Sequence, residues 1–190
     1  MTRLFYVMLA VVAVSLLAAP AWSAVPYPPN CLKVWYSVID DSAIALCPQG
    51  DWSWVGVTIK DQFNTPMAGV TVQVLFDDAA VVLWPNAQGV TDINGYVAIH
   101  PKGSVNWAGP VAKWVKIRVM CLAVTIETDY RYVLSPDYNA SGAVTGGDFG
   151  FFGDDWLRIM LDCHSNFVRS NPQVQSGDFS FLGAHWLHHN

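Results

Sequence analysis

Charged side chains are scarce in this chain, and glutamate is the scarcest of them. Lysine, arginine, aspartate and glutamate together make up 13% of the 190 residues, and Glu127 is the only glutamate. The formal net charge is −5, and no cluster of Lys and Arg offers the basic face that a nucleic-acid backbone requires. We therefore expect no nucleic-acid partner.

Motifs of known catalytic machinery are also missing. The sequence contains no Gly-x-Ser-x-Gly, no His-Glu-x-x-His and no phosphate-binding loop. Glu127 and Asp129 share one face of a predicted strand, but two acids at this spacing are more often solvent-facing strand residues than a catalytic pair. We expect a non-catalytic protein.

Long hydrophobic runs are confined to the amino terminus. Residues 1–24 combine Arg3, an uncharged apolar run over residues 4–19, and small residues around Ala21 that suit cleavage. This pattern predicts a secretory signal peptide. A retained anchor is the alternative, and it is disfavoured because the run is slightly short for a bilayer span. We expect the mature chain to be secreted or held at a cell surface, with no membrane segment after cleavage.

Four cysteines in an exported chain predict two disulfides, and four cysteines allow three pairings. Cys31–Cys47 is the first expectation, because it closes a short loop worth about 3 kcal/mol in the chain-entropy treatment. Cys121–Cys163 would then tie the module formed by the last part of the chain to the preceding domain. The spacing of the four cysteines matches no zinc motif.

Residues 25–133 are predicted to form a β domain. Apolar and polar residues alternate around Val55, Val57 and Ile59 and again over residues 70–76, which is typical of half-buried antiparallel strands. Asn94-Gly95 predicts a tight turn, because this pair tolerates positive φ. Short strands separated by turn signals predict a mainly β fold, an antiparallel β-sandwich.

Two motifs of this domain resemble a known family. They are Val57-Thr-Ile59-Lys-Asp61-x4-Pro66-Met-Ala68-Gly69-Val70-x-Val72 and Thr91-Asp92-x-Asn94-Gly95-Tyr-Val97. Over about residues 51–100 the chain resembles the bacterial immunoglobulin-like and carboxypeptidase-regulatory-like modules. The resemblance implies a seven-stranded immunoglobulin-like sandwich that carries no catalytic residue.

A twelve-residue stretch after this domain predicts a cation site. Residues 137–148 place oxygen groups at the spacing of an EF-hand loop, with glycine at place 6, where the loop must turn sharply. The predicted ligands are Asp137, Asn139, Ser141, the carbonyl of Ala143, Thr145 (directly or through water) and Asp148. Oxygen ligands favour calcium, and two carboxylates predict a Kd on the order of 10⁻⁴ to 10⁻³ M. The alternative is a capped helix after a turn, with no metal.

The end of this stretch recurs thirty residues downstream. Val144-x-x-Gly147-Asp148-Phe149-x-Phe151-Phe152-Gly153-x-x-Trp156-Leu157 is matched by Val174-x-x-Gly177-Asp178-Phe179-x-Phe181-Leu182-Gly183-x-x-Trp186-Leu187. Such self-similarity marks a duplicated supersecondary unit. Two loop–helix units over residues 134–190 resemble the dockerin module of secreted bacterial proteins. That resemblance implies a small helical, calcium-binding module and a cohesin-like partner.

The second copy has lost its ligands, since Phe167 and Arg169 stand at places 1 and 3. We hypothesise that the guanidinium of Arg169 pairs with Asp178 in place of an ion. A short β contact is expected between Val144 and Val174 across the paired loops. The first helix is predicted to begin near Thr145 or Gly146 and to have one apolar face, made by Phe149, Phe152, Trp156, Leu157 and Met160.

Tryptophans give an alternative function. Trp52 and Trp54 share a strand face, and Trp107 and Trp114 flank another strand start. Aromatic platforms can stack on sugars, so a carbohydrate-binding module is the alternative, although core packing is favoured for these residues.

The last histidines, His185, His188 and His189, offer transition-metal ligands, but a frayed, solvated terminus is the favoured interpretation. The leading interpretation of the whole chain is a secreted, non-catalytic bacterial protein for adhesion, display or extracellular assembly. Its expected partner is a cohesin-like protein or another surface component, and a polysaccharide is the alternative.

Overall fold

The computed structural model describes residues 24–37, 39, 42–50, 52–85 and 87–189. The expected signal segment lies outside the described residues except for Ala24. A 3-10 turn at Pro28–Asn30 precedes the strands β1 Leu32–Ser37, β2 Ala43–Ala45, β3 Ser53–Thr58, β4 Thr71–Phe76, β5 Val81–Leu83, β6 Gln88–Val90, β7 Tyr96–Ile99, β8 Gly103–Val105, β9 Trp114–Cys121 and β10 Val124–Leu134. Two helices follow, α1 Gly146–Asp155 and α2 Ser176–Ala184.

The strands form two larger sheets and one small one. Strands β1, β3 and β7 form one sheet, the order β2-β10-β9-β4-β6 forms the second, and β5 pairs with β8. Every pairing between these strands is antiparallel except β2 with β10, which is parallel. The expectation of an entirely antiparallel fold is therefore wrong at this edge. β2 and β10 are far apart in the sequence, so no hairpin turn joins them and none requires them to be antiparallel.

Alternating apolar residues of both larger sheets face one core. Val55 and Val57 of β3 and Val72 and Val74 of β4 are almost fully buried, and the buried residues of both sheets belong to one contiguous hydrophobic cluster. Burial on alternate positions follows from the two-residue period of a strand. The prediction of a mainly β fold is confirmed.

The predicted turn at Asn94-Gly95 is present and is stabilised by an aspartate. Oδ1 of Asp92 accepts hydrogen bonds from the backbone N–H groups of Asn94 and Tyr96. Gly95 has φ +72°, and a Cβ at this position would lie 2.5 Å from the carbonyl oxygen of Ile59. The aspartate and glycine of this motif therefore serve the turn.

The first helix begins at Gly146, as predicted, and both helices have the same arrangement at the first turn. Thr145 caps α1 with Asp148 three residues later, and Gln175 caps α2 with Asp178. These capping boxes satisfy backbone N–H groups that the helix itself leaves without an acceptor.

The expected apolar face of α1 is not buried as a whole. Phe152 is buried, but Phe149, Trp156 and Leu157 are exposed. The helix ends at Asp155, and Leu157 has φ +63°, so the residues after the end leave the helical path. The apolar residues at a 3.6-residue spacing therefore continue beyond the end of α1, and nothing in the local sequence indicates that the helix stops at Asp155.

The two loop–helix units close on each other in a crossed manner. The backbone N–H of Val144 donates to His188 O, and its carbonyl accepts from the Leu187 N–H. Val174 makes the corresponding pair with Arg158 and Leu157. The expected β contact between Val144 and Val174 is therefore wrong, because each valine uses both backbone groups on the residues that follow the other unit's helix.

The helix pair packs against the β domain. The N–H of Ala112 donates to Asp162 O at 2.8 Å, and the N–H of His164 donates to Pro110 O at 2.7 Å. Residues of both parts belong to the same buried cluster. The domain boundary between residues 133 and 134 remains a prediction.

Neither expected disulfide is present. Cys31, Cys47, Cys121 and Cys163 all lie in described residues, and all four are thiols. The Cys31 sulfur contacts the carbonyl oxygens of Tyr27 and Lys60. Cys47 instead faces the end of the chain, so closeness in sequence did not bring the first pair together.

Candidate functional site

The first loop brings together oxygen atoms of three of the six predicted calcium ligands, Asp137, Ser141 and Ala143. Asp137 is fully buried, and its carboxylate accepts hydrogen bonds from the N–H groups of Ser141 at 3.0 Å and Gly142 at 2.8 Å. The Ser141 hydroxyl lies 3.4 Å from Asp137 Oδ1 and 3.0 Å from the Ala143 carbonyl oxygen. Asn139 Oδ1 accepts from the Ser141 N–H at 2.9 Å. Neighbouring oxygens around a calcium ion at about 2.4 Å are separated by roughly 3.4 Å, and the two oxygen–oxygen distances from the Ser141 hydroxyl, 3.4 Å and 3.0 Å, lie near that value.

The other two predicted ligands, Thr145 and Asp148, join the helix cap. One Asp148 oxygen accepts from the Tyr138 N–H at 2.8 Å, and the other accepts from the Thr145 N–H at 2.8 Å and the Thr145 hydroxyl at 3.2 Å. A carboxylate oxygen has two acceptor positions, so Oδ1, which accepts one hydrogen bond, keeps a position for a cation, while Oδ2 already accepts two. The structure nevertheless gives both residues a role in the fold.

In the second unit an aspartate binds two backbone N–H groups in the same way, although the loop there has lost its metal-ligand side chains. Asp178 accepts from the N–H groups of Val168 and Gln175, at 2.6 Å and 2.9 Å. These donors stand ten and three residues before the aspartate, as Tyr138 and Thr145 do in the first unit. Since the second loop has lost its ligand side chains, its aspartate acts as an anchor for backbone N–H groups.

Arg169 does not take the position that we hypothesised. Its guanidinium donates to the Leu161 carbonyl oxygen at 3.1 Å and stacks 4.3 Å from the centre of the Tyr132 ring on β10. The structure thus places Arg169 against the β domain, and the hydrogen bonds that hold Asp178 come from the backbone.

Electrostatics make the first loop receptive to a cation. Burial raises the pKa of Asp137, and the nearby charge of Asp148 raises it further, while hydrogen bonds from Gly142 and Ser141 lower it only in part. The ionised form of this carboxyl is therefore penalised in the fold. A bound cation would offset that penalty.

An exposed aromatic surface on the two helices was missed by the sequence reasoning. It consists of Phe149 and Trp156 from the first unit and Phe179 and Trp186 from the second, and each of these side chains is 43% to 48% exposed. Phe149 and Phe179 meet edge to face with ring centroids 6.0 Å apart. We call these four side chains the paired aromatic surface. The repeat itself was the available signal, because it recurs in aromatic residues that are not metal ligands.

Two shallow apolar grooves follow this surface. One, of about 260 Å³, is lined by Phe149, Phe152, Gly153, Trp156 and Phe179. The other, of about 470 Å³, is lined by Phe149, Phe179, Leu182, Gly183 and Trp186. Gly153 and Gly183 hold corresponding positions in the repeat, and neither would bring a Cβ against a neighbour.

A buried polar cluster at the end of α1 was also missed. One Asp155 oxygen accepts from Ser165 Oγ and faces His164 Nε2, both at 2.6 Å, and the other lies 3.0 Å from Arg158 Nε. Burial alone would raise the pKa of Asp155, but the hydrogen bonds from His164 and Ser165 outweigh it and hold the pKa below its usual value.

This cluster does not have the arrangement of a catalytic relay. Ser165 and His164 both point at the same carboxylate oxygen of Asp155. In a serine nucleophile relay the hydroxyl donates to the imidazole, and the carboxylate contacts the opposite ring nitrogen. The arrangement fits a structural tie between α1 and the loop that follows it.

The tryptophans divide between core and surface. Trp107 is buried and donates to Val133 O, and Trp52 packs 4.3 Å from the Phe181 ring. Trp54 and Tyr96 both lie over Gly56, where a Cβ would come within 3 Å of a Trp54 ring carbon and of the Tyr96 hydroxyl oxygen. Core packing therefore explains the first two, while Trp54 stands on the outer face of its sheet.

None of the helices described is long and apolar enough to cross a membrane. No protein-family model and no curated protein matches this chain.

Two solved structures are similar to part of the chain. Invasin, titled a bacterial integrin-binding protein, gives a TM-score of 0.39 and 10% identity over 60% of this chain and 21% of that chain. The D00-D0 domain of intimin gives a TM-score of 0.33 and 15% identity over 53% of this chain and 46% of that chain. The chain thus spans about a fifth of the first and under half of the second. Similarity at this level assigns no family and no function.

Proposed function

We propose that this chain is an exported, non-catalytic bacterial protein in which an immunoglobulin-like β domain carries a dockerin-like helix pair. The helix pair assembles the protein with an extracellular protein partner. The paired aromatic surface carries this proposal, because Phe149 and Trp156 are matched by Phe179 and Trp186 and all four remain exposed.

Exposed aromatic side chains of this kind are typical of interaction sites. Soluble proteins seldom leave large contiguous apolar patches in water, and aromatic residues are enriched in protein interfaces. Both copies of the repeat keep phenylalanine and tryptophan on this surface, although only one keeps the calcium ligands. The surface thus accounts for the duplication better than the metal loop does.

Calcium would act on this surface through α1. The proposed ligands Asp137, Asn139, Ser141 and Ala143 immediately precede the helix that carries Phe149. An ion that binds the folded loop and not the unfolded chain stabilises the fold by mass action. In 10 mM calcium, a Kd of 10⁻⁴ to 10⁻³ M would add about 1.4 to 2.7 kcal/mol.

The partner that fits the proposal is a cohesin-like protein. Small residues at both helix starts, Gly146-Gly147 and Ser176-Gly177, permit a close approach of another backbone. A Cβ at Gly147 would lie 3.5 Å from Asn139 Nδ2, whereas one at the corresponding Gly177 would lie 3.0 Å from Val168. The start of the first helix is therefore more open to a partner's backbone than the start of the second, and we expect the first helix to make the closer contact with the partner.

The test uses a panel of purified cohesin domains, with the mature chain immobilised in calcium or in chelator. We expect calcium-dependent binding to at least one member, weakened at least tenfold in Trp156→Ala and in Trp186→Ala. Ile93→Ala removes an apolar side chain that is 85% exposed on a turn of the β domain, and it should leave binding unchanged. Absence of binding across the panel, or equal loss in the Ile93→Ala control, would contradict the proposal.

Sugar binding by the β domain is the second candidate. Tyr36 and Trp54 are register partners on β1 and β3 and stack with centroids 5.8 Å apart, and Tyr96 lies beside them over Gly56. A flat aromatic strip on the outer face of a sheet can stack on pyranose rings. Retention on insoluble polysaccharides that is lost in Trp54→Ala, and kept in Trp156→Ala, would favour this candidate over the first.

A further inference from the structure

The described residues that follow α2, up to His189, are packed against the rest of the protein and not frayed, contrary to the favoured interpretation of these histidines. His185 is fully buried, with its ring 4.1 Å from Trp52 and 4.6 Å from Phe181. His188 Nδ1 lies 3.2 Å from the sulfur of Cys47, a residue 141 positions earlier in the sequence. A thiol from the β domain and two imidazoles from the segment after α2 therefore meet at one point.

The three side chains have the composition and spacing of a metal centre. One ligand atom from each of Cys47, His185 and His188 lies within 4.8 Å of the other two. In a tetrahedral zinc site, Zn–S of 2.3 Å and Zn–N of about 2.0 to 2.1 Å place ligand atoms roughly 3.3 to 3.6 Å apart. The Cys47–His188 distance is already close to that value, and the remaining adjustment is on the order of 1 Å.

The backbone contact of His185 suits a neutral imidazole that binds a metal through its other nitrogen. Its Nδ1 lies 2.8 Å from the Phe181 carbonyl oxygen, which only accepts hydrogen bonds, so Nδ1 carries the proton. Nε2 then presents its lone pair as the nitrogen able to bind a metal. Metal-binding histidines commonly donate their second N–H to a backbone carbonyl in this way. The rings of Trp52 and Phe181 hold the imidazole in place.

We propose that Cys47, His185 and His188 bind one transition-metal ion, with zinc as the ion that best fits one thiolate and two imidazoles. Binding would replace the Cys47 thiol proton with the metal, so one proton is released to solvent. Three protein ligands leave one position of a tetrahedron for water. The oxygen ligands of the first loop favour a hard ion instead, so the two sites would not compete.

The ion would join the two parts of the protein. Cys47 lies in the turn after β2, where its carbonyl oxygen accepts from the N–H groups of Gly50 and Gly103, and both histidines follow α2. The proposed metal therefore ties the end of the helix pair to the β domain, a role that the sequence had led us to expect of a Cys121–Cys163 disulfide elsewhere in the fold. This proposal does not depend on the proposed partner or on calcium.

The test uses the mature chain purified without a polyhistidine tag, stripped with chelator and titrated with Co²⁺ and Zn²⁺ in the presence of 5 mM calcium. We expect one equivalent of Co²⁺ to give the intense sulfur-to-cobalt charge-transfer absorption of a thiolate complex. Zn²⁺ should displace the cobalt and should raise the melting temperature. Zn²⁺ binding should be accompanied by release of the Cys47 thiol proton at neutral pH.

Two variants and two controls identify the ligands. Cys47→Ser should abolish the charge-transfer band, and His188→Gln, at a partly exposed position, should weaken zinc at least 100-fold while the fold is retained. His189→Gln changes the neighbouring histidine, whose Nδ1 faces the Leu187 carbonyl oxygen, and should bind as the parent does. Cys31→Ser removes a thiol elsewhere and should also have no effect.

The contrary results are equally clear. A cobalt complex with no thiolate band, or equal loss of zinc in His189→Gln and His188→Gln, would show that the metal sits on the exposed tail. Full zinc affinity in a folded His188→Gln variant would also overturn the assignment. The Cys47–His188 contact would then be a hydrogen bond between the two parts and nothing more.

Discussion

Replacing Asp178 by asparagine tests whether the duplicated aspartates anchor the loops. The carboxylate is fully buried and accepts backbone N–H groups of Val168 at 2.6 Å and Gln175 at 2.9 Å. Asparagine keeps one acceptor oxygen and turns an NH₂ group toward the other N–H. One charge-assisted hydrogen bond is lost, so the free energy of unfolding should fall by about 1.5 to 3 kcal/mol.

The corresponding change in the first unit supplies the comparison. Asp148→Asn removes the same kind of bond to Tyr138 or Thr145, so both variants should lose similar stability in chelator. In 10 mM calcium the parent and Asp178→Asn should gain stability together, while Asp148→Asn should gain less because it also removes a proposed ligand.

Urea denaturation followed by tryptophan fluorescence measures these differences. A fall of less than about 0.5 kcal/mol for Asp178→Asn would refute the anchoring role, because an unsatisfied buried N–H costs more than that. An unchanged calcium response in Asp148→Asn would remove this residue from the proposed ligand set while leaving the anchoring argument intact.

Three further outcomes follow from single features. Gly95→Ala should lower the free energy of unfolding by at least about 2 kcal/mol in urea titrations. The reason is that φ is +72° and a Cβ would lie 2.5 Å from a carbonyl oxygen. An unchanged urea midpoint would contradict the turn geometry. Burial raises the pKa of Cys121 to about 11 and that of Cys163 to about 12, so both thiols should resist iodoacetamide at pH 8 while the partly exposed Cys31 reacts, as read by peptide mass mapping. The pKa of Asp155 is lowered in the fold, so the stabilisation from its ionised form is present above about pH 4 and is lost as the pH falls through the lowered pKa. Asp155→Asn should therefore flatten the acidic part of a plot of unfolding free energy against pH. An unchanged acidic part would contradict the role given to the hydrogen bonds of Asp155.

Local signals predicted much of the fold. The alternation around Val55 and Val72, the turn at Gly95 and the helix start at Thr145 are each set by a few neighbouring residues, and all are present. The parallel edge pair of β2 with β10 was not predictable in this way. It joins segments far apart in the chain, and a three-residue strand carries no periodicity that reveals its partner.

The candidate sites divide in the same manner. The loop from Asp137 to Asp148 is contiguous, so the spacing of its oxygen groups is visible in the sequence, and the structure brings Asp137, Ser141 and Ala143 together. The paired aromatic surface was not predicted, because the expected apolar face included residues beyond the end of α1. Exposure of Trp156 depends on where the helix stops, which neighbouring segments decide.

The sequence by itself determined the alternating strands, the turns, the caps and the thirty-residue repeat, because each arises from the stereochemistry of adjacent residues. Only the tertiary structure decided which distant groups meet. It placed Cys47 beside His188 rather than beside Cys31, paired Val144 with the tail of the other unit, and left one face of the helix pair in solvent. These outcomes depend on how sheets and helices pack around a shared core, and no short stretch of chain contains that information.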